Sequence, residues 1–135
     1  MSARKANINP LLLVVAKQRV GQEDADAIAL PVLCWFDAAK RGLCTNTGLN
    51  HLTTHIIIAS WIAARTKSKA FHEACTHAFD MMRKAATRPG DTVALTTTEY
   101  AVIRKAFGWY IRALPDCEVL TLNRACKEAE KIMGA

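Results

Sequence analysis

Two groups of side chains in the middle of the chain could bind a metal ion. His51 and His55 lie four residues apart, a spacing that places two imidazole ligands on one face of a helix. His72, Cys75 and His77 form a second group further along the chain. On the two arms of a helical hairpin, with a rise of about 1.5 Å per residue, only His77 reaches the level of His55. We therefore predict neither a metal site nor any other cofactor.

Nucleophilic catalysis has no better basis in the sequence. Cys75 and His72 are three residues apart on one helix, and such a pair rarely forms the oriented site that a reactive thiolate needs. No serine lies in a G-x-S-x-G motif, and the six glycines form no phosphate-binding loop. The carboxylates lie near helix starts, as Asp24 and Asp26 do, or alternate with lysines. We predict that the protein is not an enzyme and has no catalytic residues.

A tryptophan between two basic residues gives a protein-binding hypothesis. Trp109 lies at the edge of the apolar stripe of a predicted helix. Lys105 precedes it by four residues and Arg112 follows it by three, so both neighbour it on the helix surface. Tryptophan and arginine are enriched at the energetic centres of protein interfaces. We predict that Lys105, Trp109 and Arg112 contact a protein partner. The alternative is a tryptophan at the edge of the core with two cations extending over it.

The net charge of +6 supports a second hypothesis, nucleic-acid binding. The basic excess falls in residues 1–20 and 49–90, whereas the rest of the chain is neutral or slightly acidic. Clustered basic side chains attract phosphate groups. The candidate nucleic-acid-binding residues are Arg4, Lys5, Arg83, Lys84 and Arg88. In this alternative the protein is a DNA- or RNA-binding regulator of the helix-turn-helix kind.

The helix-turn-helix interpretation rests on the segment from Asp26 to Arg65, which predicts a helix, a glycine-containing turn and a second helix. The second helix begins with Asn, His and Thr side chains that could contact bases or phosphates. However, it carries no basic residue before Arg65, and its preceding turn of about six residues exceeds the usual length of about three to four.

The elements that position these residues are helices. Residues 49–88 contain neither glycine nor proline, and apolar residues recur there at helical spacing. The register of the apolar stripe slips by one residue between Thr66 and Lys69. This slip favours two antiparallel helices, with Ser68 or Thr66 as the cap of the second, over a single helix of about 40 residues.

The amino-terminal boundaries follow from composition and capping signals. Residues 1–9 are predicted to form a flexible basic arm, and residues 10–135 a single helical domain. A first helix is predicted over residues 11–20, before a glycine. Asp24 or Asp26 is predicted to cap the second helix.

Further along, Leu43 to Gly48 is predicted to form a turn. Thr92 to Leu95 has the composition of a strand, but a lone strand has no pairing partner, so we predict no sheet. Thr96 and Glu99 form a capping box that opens a fifth helix. The predicted fold is all-α, a compact single-domain bundle of five to six helices.

The cysteines and the apolar segments indicate the compartment. An odd number of cysteines without a C-x-x-C pair favours five reduced thiols in or near the core, as in a cytoplasmic protein. The apolar segment from Leu11 to Ala16 is too short to span a membrane or to form a signal-peptide core. We predict a cytoplasmic protein without a membrane partner.

These features favour a non-catalytic helical protein that acts through protein–protein contacts and that could form a homo-oligomer through an apolar stripe left over by the bundle. Small, basic, motif-free helical proteins are typical accessory proteins of phages, plasmids and other mobile elements. We therefore expect such a role, with inhibition of a larger host complex as its mechanism. This last expectation comes from the general character of such proteins, not from particular residues.

Overall fold

Helices dominate the computed structural model, which describes residues 18–134. The α-helices of this range are α1 (Gln22–Lys40), α2 (Asn46–Thr66), α3 (Lys69–Ala86), α4 (Thr97–Ala113) and α5 (Val119–Gly134). The predicted all-α fold is therefore confirmed, and the five helices of the described range agree with the predicted five to six. No helix within this range is long and apolar enough to cross a membrane.

Most of the predicted amino-terminal elements lie outside the described residues, namely the arm at residues 1–9 and the greater part of the helix at residues 11–20. The predicted end of that helix is wrong, because residues 18–20 are not helical. Arg19 instead forms an antiparallel bridge with Glu118, just before α5. Backbone pairing with a distant segment holds this part of the chain extended, and a local sequence pattern carries no sign of it.

α2 is the central helix, and the other four α-helices of the described range pack against it. Four consecutive residues of α2, from Ile56 to Ala59, are buried. A helix that is apolar around its circumference is stable only when other elements surround it. α3 and α4 also pack closely on each other, so the largest core side chains lie between this pair and α2.

The chain from residue 49 to residue 88 forms two helices, as the slip of the apolar register predicts. α2 ends where Lys67 adopts the left-handed conformation, with φ of 60°. The Ser68 hydroxyl then accepts a hydrogen bond of 3.3 Å from the Phe71 N–H, so Ser68 is the cap of α3. Phe71 itself is buried in the core, which anchors the first turn of α3.

Two predictions about the connecting segments are wrong, because the chain forms two short paired strands there. These are the turn at residues 43–48 and the absence of a sheet at residues 92–95. β1 (Cys44–Thr45) and β2 (Thr92–Val93) pair antiparallel, with Cys44 opposite Val93. Each strand is too short to show a periodicity, and they pair only because α2 and α3 bring their ends together. The Thr45 hydroxyl then accepts a hydrogen bond from the Gly48 N–H, and α2 begins at Asn46.

The start of α1 also differs from the prediction. Its cap is Gly21, with φ of 82° and no side-chain hydrogen bond. Asp24 lies inside the first turn, where its charge favours the helix dipole, and Asp26 accepts a hydrogen bond from the Gln22 amide. The predicted capping by Asp24 or Asp26 is therefore wrong, because the cap is Gly21, which precedes both aspartates.

The capping box at the start of α4 is confirmed. The Thr96 hydroxyl accepts from the Glu99 N–H at 3.2 Å, and the Glu99 carboxylate accepts from the Thr96 N–H at 2.9 Å.

The cysteines divide between core and surface: Cys44, Cys75 and Cys117 are buried, whereas Cys34 is exposed. The expectation that all five thiols lie in or near the core is therefore wrong for Cys34, which faces outward from α1.

Candidate protein-binding face of α4

The outward side of α4 carries basic residues and no acidic ones. Arg104, Lys105 and Arg112 are exposed on this helix. The single carboxylate of α4, Glu99, is buried. We call the surface formed by Arg104, Lys105, Gly108, Trp109 and Arg112 the α4 basic face.

The cations of this face have no carboxylate partner in the part of the chain that the structure describes. The ion pairs of residues 18–134 are Asp37–Arg41, Lys69–Glu73, Arg88–Glu99 and Glu128–Lys131. None of them includes Arg104, Lys105 or Arg112. Three positive charges on one helix side therefore repel one another, and a negative surface brought against them would relieve that repulsion.

Arg112 is held in place over an aromatic stack. Its Cζ atom lies 4.8 Å from the centroid of the Trp109 ring, and its Nε donates a hydrogen bond of 3.1 Å to the Gly108 carbonyl. Trp109 also stacks on the buried Phe71, with centroids 5.9 Å apart and planes 11° from parallel. The half-buried Trp109 ring thus contacts both the core and Arg112, and its contact with the cation restrains the Arg112 guanidinium.

A second stack of the same kind borders the other side of α4. The Lys40 Nζ lies 5.2 Å from the centroid of the Tyr100 ring, and Tyr100 stacks on Phe36 with centroids 4.5 Å apart. Phe36 is buried and contacts Phe107 edge to face. Lys40 therefore adds a cation from α1 to the border of the α4 basic face.

A shallow groove runs between these two stacks. It has a volume of about 380 Å³ and is lined by Thr97, Tyr100, Ala101, Arg104, Lys105, Gly108 and Arg112. Its floor is formed by the small residues of α4, and a Cβ atom added at Gly108 would meet nothing within 4 Å. The groove is thus open at its centre and rimmed by cations.

The structure brings the predicted protein-binding residues Lys105, Trp109 and Arg112 together on one helix side. The sequence did not predict Tyr100 or Lys40 as part of this face. Arg104 directly precedes Lys105, so the sequence alone could have indicated it. The contact between Lys40 and Tyr100 joins two helices, and no local sequence pattern indicates it.

The predicted nucleic-acid residues are not brought together in the same way. Arg83 and Lys84 are exposed near the end of α3, whereas Arg4 and Lys5 lie outside the described residues. Arg88 donates a hydrogen bond of 2.9 Å to the Ala94 carbonyl and forms an ion pair with Glu99. Its guanidinium is thus engaged in contacts within the chain, at the protein surface.

The ion pair between Arg88 and Glu99 joins the end of α3 to the start of α4. The Glu99 side chain is 6% exposed and that of Arg88 is 38% exposed. The hydrogen bond from Arg88 is the main cause that lowers the pKa of the Glu99 carboxyl, against the effect of burial. The hydrogen bond to Glu99 raises the pKa of Arg88 in turn.

The start of α2, which the helix-turn-helix interpretation requires for base contacts, makes internal hydrogen bonds instead. The Thr53 and Thr54 hydroxyls donate to backbone carbonyls of the preceding turn, each at 2.8 Å. Nδ1 of His55 and the Tyr110 hydroxyl share a hydrogen bond of 2.8 Å inside the protein. At the start of this helix, Asn46, Thr47 and Asn50 are exposed.

The candidate metal and nucleophilic residues occupy different places. The rings of His51 and His55 lie 4.7 Å apart on α2, whereas His72 and His77 are exposed on α3. Within residues 18–134, no three His, Cys, Asp or Glu side chains are grouped so that they could hold a metal ion. Burial raises the pKa of the Cys75 thiol to about 11, which leaves it protonated at neutral pH.

Comparison with protein-family models, with curated proteins and with solved structures finds no match to this chain.

Proposed function

We propose that the protein binds an acidic surface of another protein through the α4 basic face, without catalysis. The observation that carries the proposal is the set of three exposed cations, Arg104, Lys105 and Arg112, which have no carboxylate partner among the described residues. Carboxylates of a partner would supply the missing negative charge, and the groove between the cations would receive its side chains.

The fixed position of Arg112 supports this proposal. Its contacts with Trp109 and with the Gly108 carbonyl hold the guanidinium before any partner arrives. A guanidinium held in one place loses less side-chain entropy on binding than a free one. It also retains N–H donors that a carboxylate can accept in a bidentate geometry.

The number of cations on this face favours a protein partner over a nucleic acid. From Arg104 to Arg112 the helix rises about 12 Å, and its three cations can neutralise only about three phosphates, fewer than the roughly 6–10 phosphate contacts of a strongly salt-dependent DNA-binding protein. The internal ion pair of Arg88 also removes one cation from the neighbouring basic cluster of α3. A short basic face of this size matches a small acidic patch on a folded protein.

An inhibitory role agrees with this proposal. A small protein that covers an acidic surface of a larger complex competes with whatever normally binds there. This is the mechanism expected for the accessory protein of a mobile element, and we retain it as part of the proposal. In support of a non-catalytic role, Cys75 is a buried thiol with a raised pKa, and His72 is exposed.

Nucleic-acid binding is the second candidate, and one observation favours it. Arg83 and Lys84 are exposed near the end of α3, and no carboxylate of the described residues lies within ion-pair distance of them. If phosphates bind here, Lys84→Glu lowers the affinity and the salt dependence is steep. Arg88 is unsuited to this test, because its replacement would also break the ion pair with Glu99.

The proposal is tested with two labelled probes, a Glu-rich peptide of about 20 residues, the size of one side of an interface, and a duplex DNA. Fluorescence anisotropy at about 50 and about 200 mM salt gives the affinity for each probe. We compare the wild type with Arg104→Glu/Lys105→Glu. The matched control is Arg124→Glu/Lys127→Glu, which makes the same charge change at exposed positions of α5.

We expect the wild type and the α5 control to bind the peptide with similar affinity, and the α4 variant to bind at least about tenfold more weakly. An equal loss in both variants would show a dependence on net charge alone and would contradict a specific face. Tighter binding of the DNA, reduced by Lys84→Glu, would favour the second candidate.

A further inference from the structure

α1 presents an exposed apolar face that the described part of the chain leaves uncovered. Leu30 is 63% exposed and Leu33 is 45% exposed, the two largest apolar side chains on the outer side of this helix. Ala27, Pro31 and Cys34 are exposed beside them. The helix buries its opposite side in the core, so it is apolar on both sides.

The outer residues of α1 follow the spacing of a helix-packing seam. The six exposed positions at alternating intervals of four and three are Glu23, Ala27, Leu30, Cys34, Asp37 and Arg41. Such a spacing keeps side chains on one narrow line along a helix and is the pattern by which two helices pack side by side. Every residue on this line is exposed.

The charges of this seam favour an antiparallel second copy. Glu23 lies at the start of the seam and Arg41 at its end, with Asp37 one turn before Arg41 and ion-paired to it at 3.1 Å. The ten residues from Ala27 to Phe36 carry no charge. An antiparallel second copy therefore brings Glu23 of each subunit against the Asp37–Arg41 pair of the other, with the guanidinium between two carboxylates, whereas a parallel copy places Glu23 against Glu23.

We propose that two copies of this chain associate through α1, packed antiparallel about a twofold axis near residue 32. In this register Glu23 faces Arg41 of the partner subunit, and Leu30 faces Cys34 of the partner subunit. A twofold interface uses the same surface twice, so each of these contacts occurs twice. The helix dipoles, which are opposed in this arrangement, add to the attraction.

The dimer is weak, because one helix from each subunit forms the contact. A 19-residue helix is about 28 Å long, and a single helix pair buries less than the about 1,600 Å² of a standard stable interface. We expect a dissociation constant on the order of 10 µM. The proposal does not depend on the α4 basic face, and α4 variants retain the dimer.

Sedimentation velocity over a concentration series tests the proposal. We expect the wild type to shift from monomer to dimer with rising concentration, and Leu30→Glu to remain monomeric with an unchanged circular dichroism spectrum. Arg41→Glu should weaken the dimer at least about tenfold, because it places two carboxylates against each other. The double exchange Glu23→Arg/Arg41→Glu should restore it, although the internal Asp37–Arg41 pair stays broken.

Cys34 provides an independent readout, because it is the exposed thiol among the five cysteines. The proposed register places the two Cys34 Cα atoms about 6 Å apart along the helix axes, within reach of a short bismaleimide. We expect a cross-linked dimer in the wild type and none in Leu30→Glu. A wild type that is monomeric at every concentration, or a dimer unchanged by Leu30→Glu, overturns the proposal. A monomer whose Cys34 resists labelling shows that another part of the same chain covers the seam.

Discussion

Arg88 shows how the surroundings of a single residue change its role. In the sequence it belongs to a basic cluster at the end of a helix, and it is a nucleic-acid candidate on that basis. In the structure it spans from α3 to the Ala94 carbonyl and the Glu99 carboxylate. The pairing requires the chain to return past the end of α3, and no local pattern contains that information.

We expect Arg88→Ala to lower the free energy of unfolding by about 2 kcal/mol, because it leaves the buried Glu99 carboxylate without its cation. Urea unfolding at neutral pH measures the change. The double variant Arg88→Ala/Glu99→Gln should recover part of the loss, since it removes the uncompensated charge. If the free energy of unfolding fell by less than about 0.5 kcal/mol, the ion pair would contribute no more to stability than an ordinary surface residue does.

His55 gives a prediction about pH. Burial, together with the nearby His51, lowers the pKa of His55 to about 4, below its ordinary value of 6.5. Between these values the unfolded chain binds a proton that the folded protein does not, so stability rises with pH through this window and falls as the pH drops. The contribution is at most about 3 kcal/mol.

Thermal unfolding between about pH 4 and about pH 6.5 measures this effect. We expect His55→Gln, which retains a hydrogen-bond acceptor for Tyr110, to flatten the pH dependence relative to the wild type. An equally steep dependence in the variant would mean that another group is responsible.

At the scale of the elements, two glycines in helices provide a matched comparison. A Cβ atom at Gly108 meets nothing within 4 Å, so Gly108→Ala should raise the free energy of unfolding by about 0.5–1 kcal/mol through its helix propensity. A Cβ atom at Gly48 would lie 2.2 Å from the Trp35 ring, so Gly48→Ala should lower it by about 2 kcal/mol. Denaturant unfolding distinguishes the two, and equal effects would contradict the packing of α1 on α2.

The helices themselves were predictable because their signals are local. The Thr96–Glu99 capping box and the break at Ser68 both follow from residues within one or two helical turns. The pairing of β1 with β2 and the exposure of Cys34 depend on contacts between distant segments. Local spacing therefore identified helices and caps but not the contacts between them.

The same distinction between local signals and distant contacts applies to the candidate site. Lys105, Trp109 and Arg112 share one helix, so their spacing was sufficient to group them. The covering of Trp109 by Phe71 and the addition of Lys40 through Tyr100 come from α3 and α1. The sequence could therefore group the proposed binding residues of α4, but it could not show the contacts that Trp109 and Tyr100 make with other helices.

At the scale of the whole molecule, the two proposed surfaces use different chemistry. The α4 basic face offers cations that pair with no carboxylate of residues 18–134, around a shallow groove, whereas the α1 seam offers an apolar centre between Glu23 and the Asp37–Arg41 pair. Salt should therefore weaken binding to an acidic partner more than it weakens the dimer, because the dimer has an apolar centre. A dimer would present two α4 basic faces to the same partner complex and raise the overall affinity.

Binding through the α4 basic face is best tested by measuring the affinity of three proteins for the Glu-rich peptide. These are the wild type, Arg104→Glu/Lys105→Glu and the α5 control Arg124→Glu/Lys127→Glu. We predict a loss of at least about tenfold in the α4 variant and little change in the control. Equal affinities for all three proteins, or equal losses in the two variants, would contradict the assignment of the α4 basic face as the binding site.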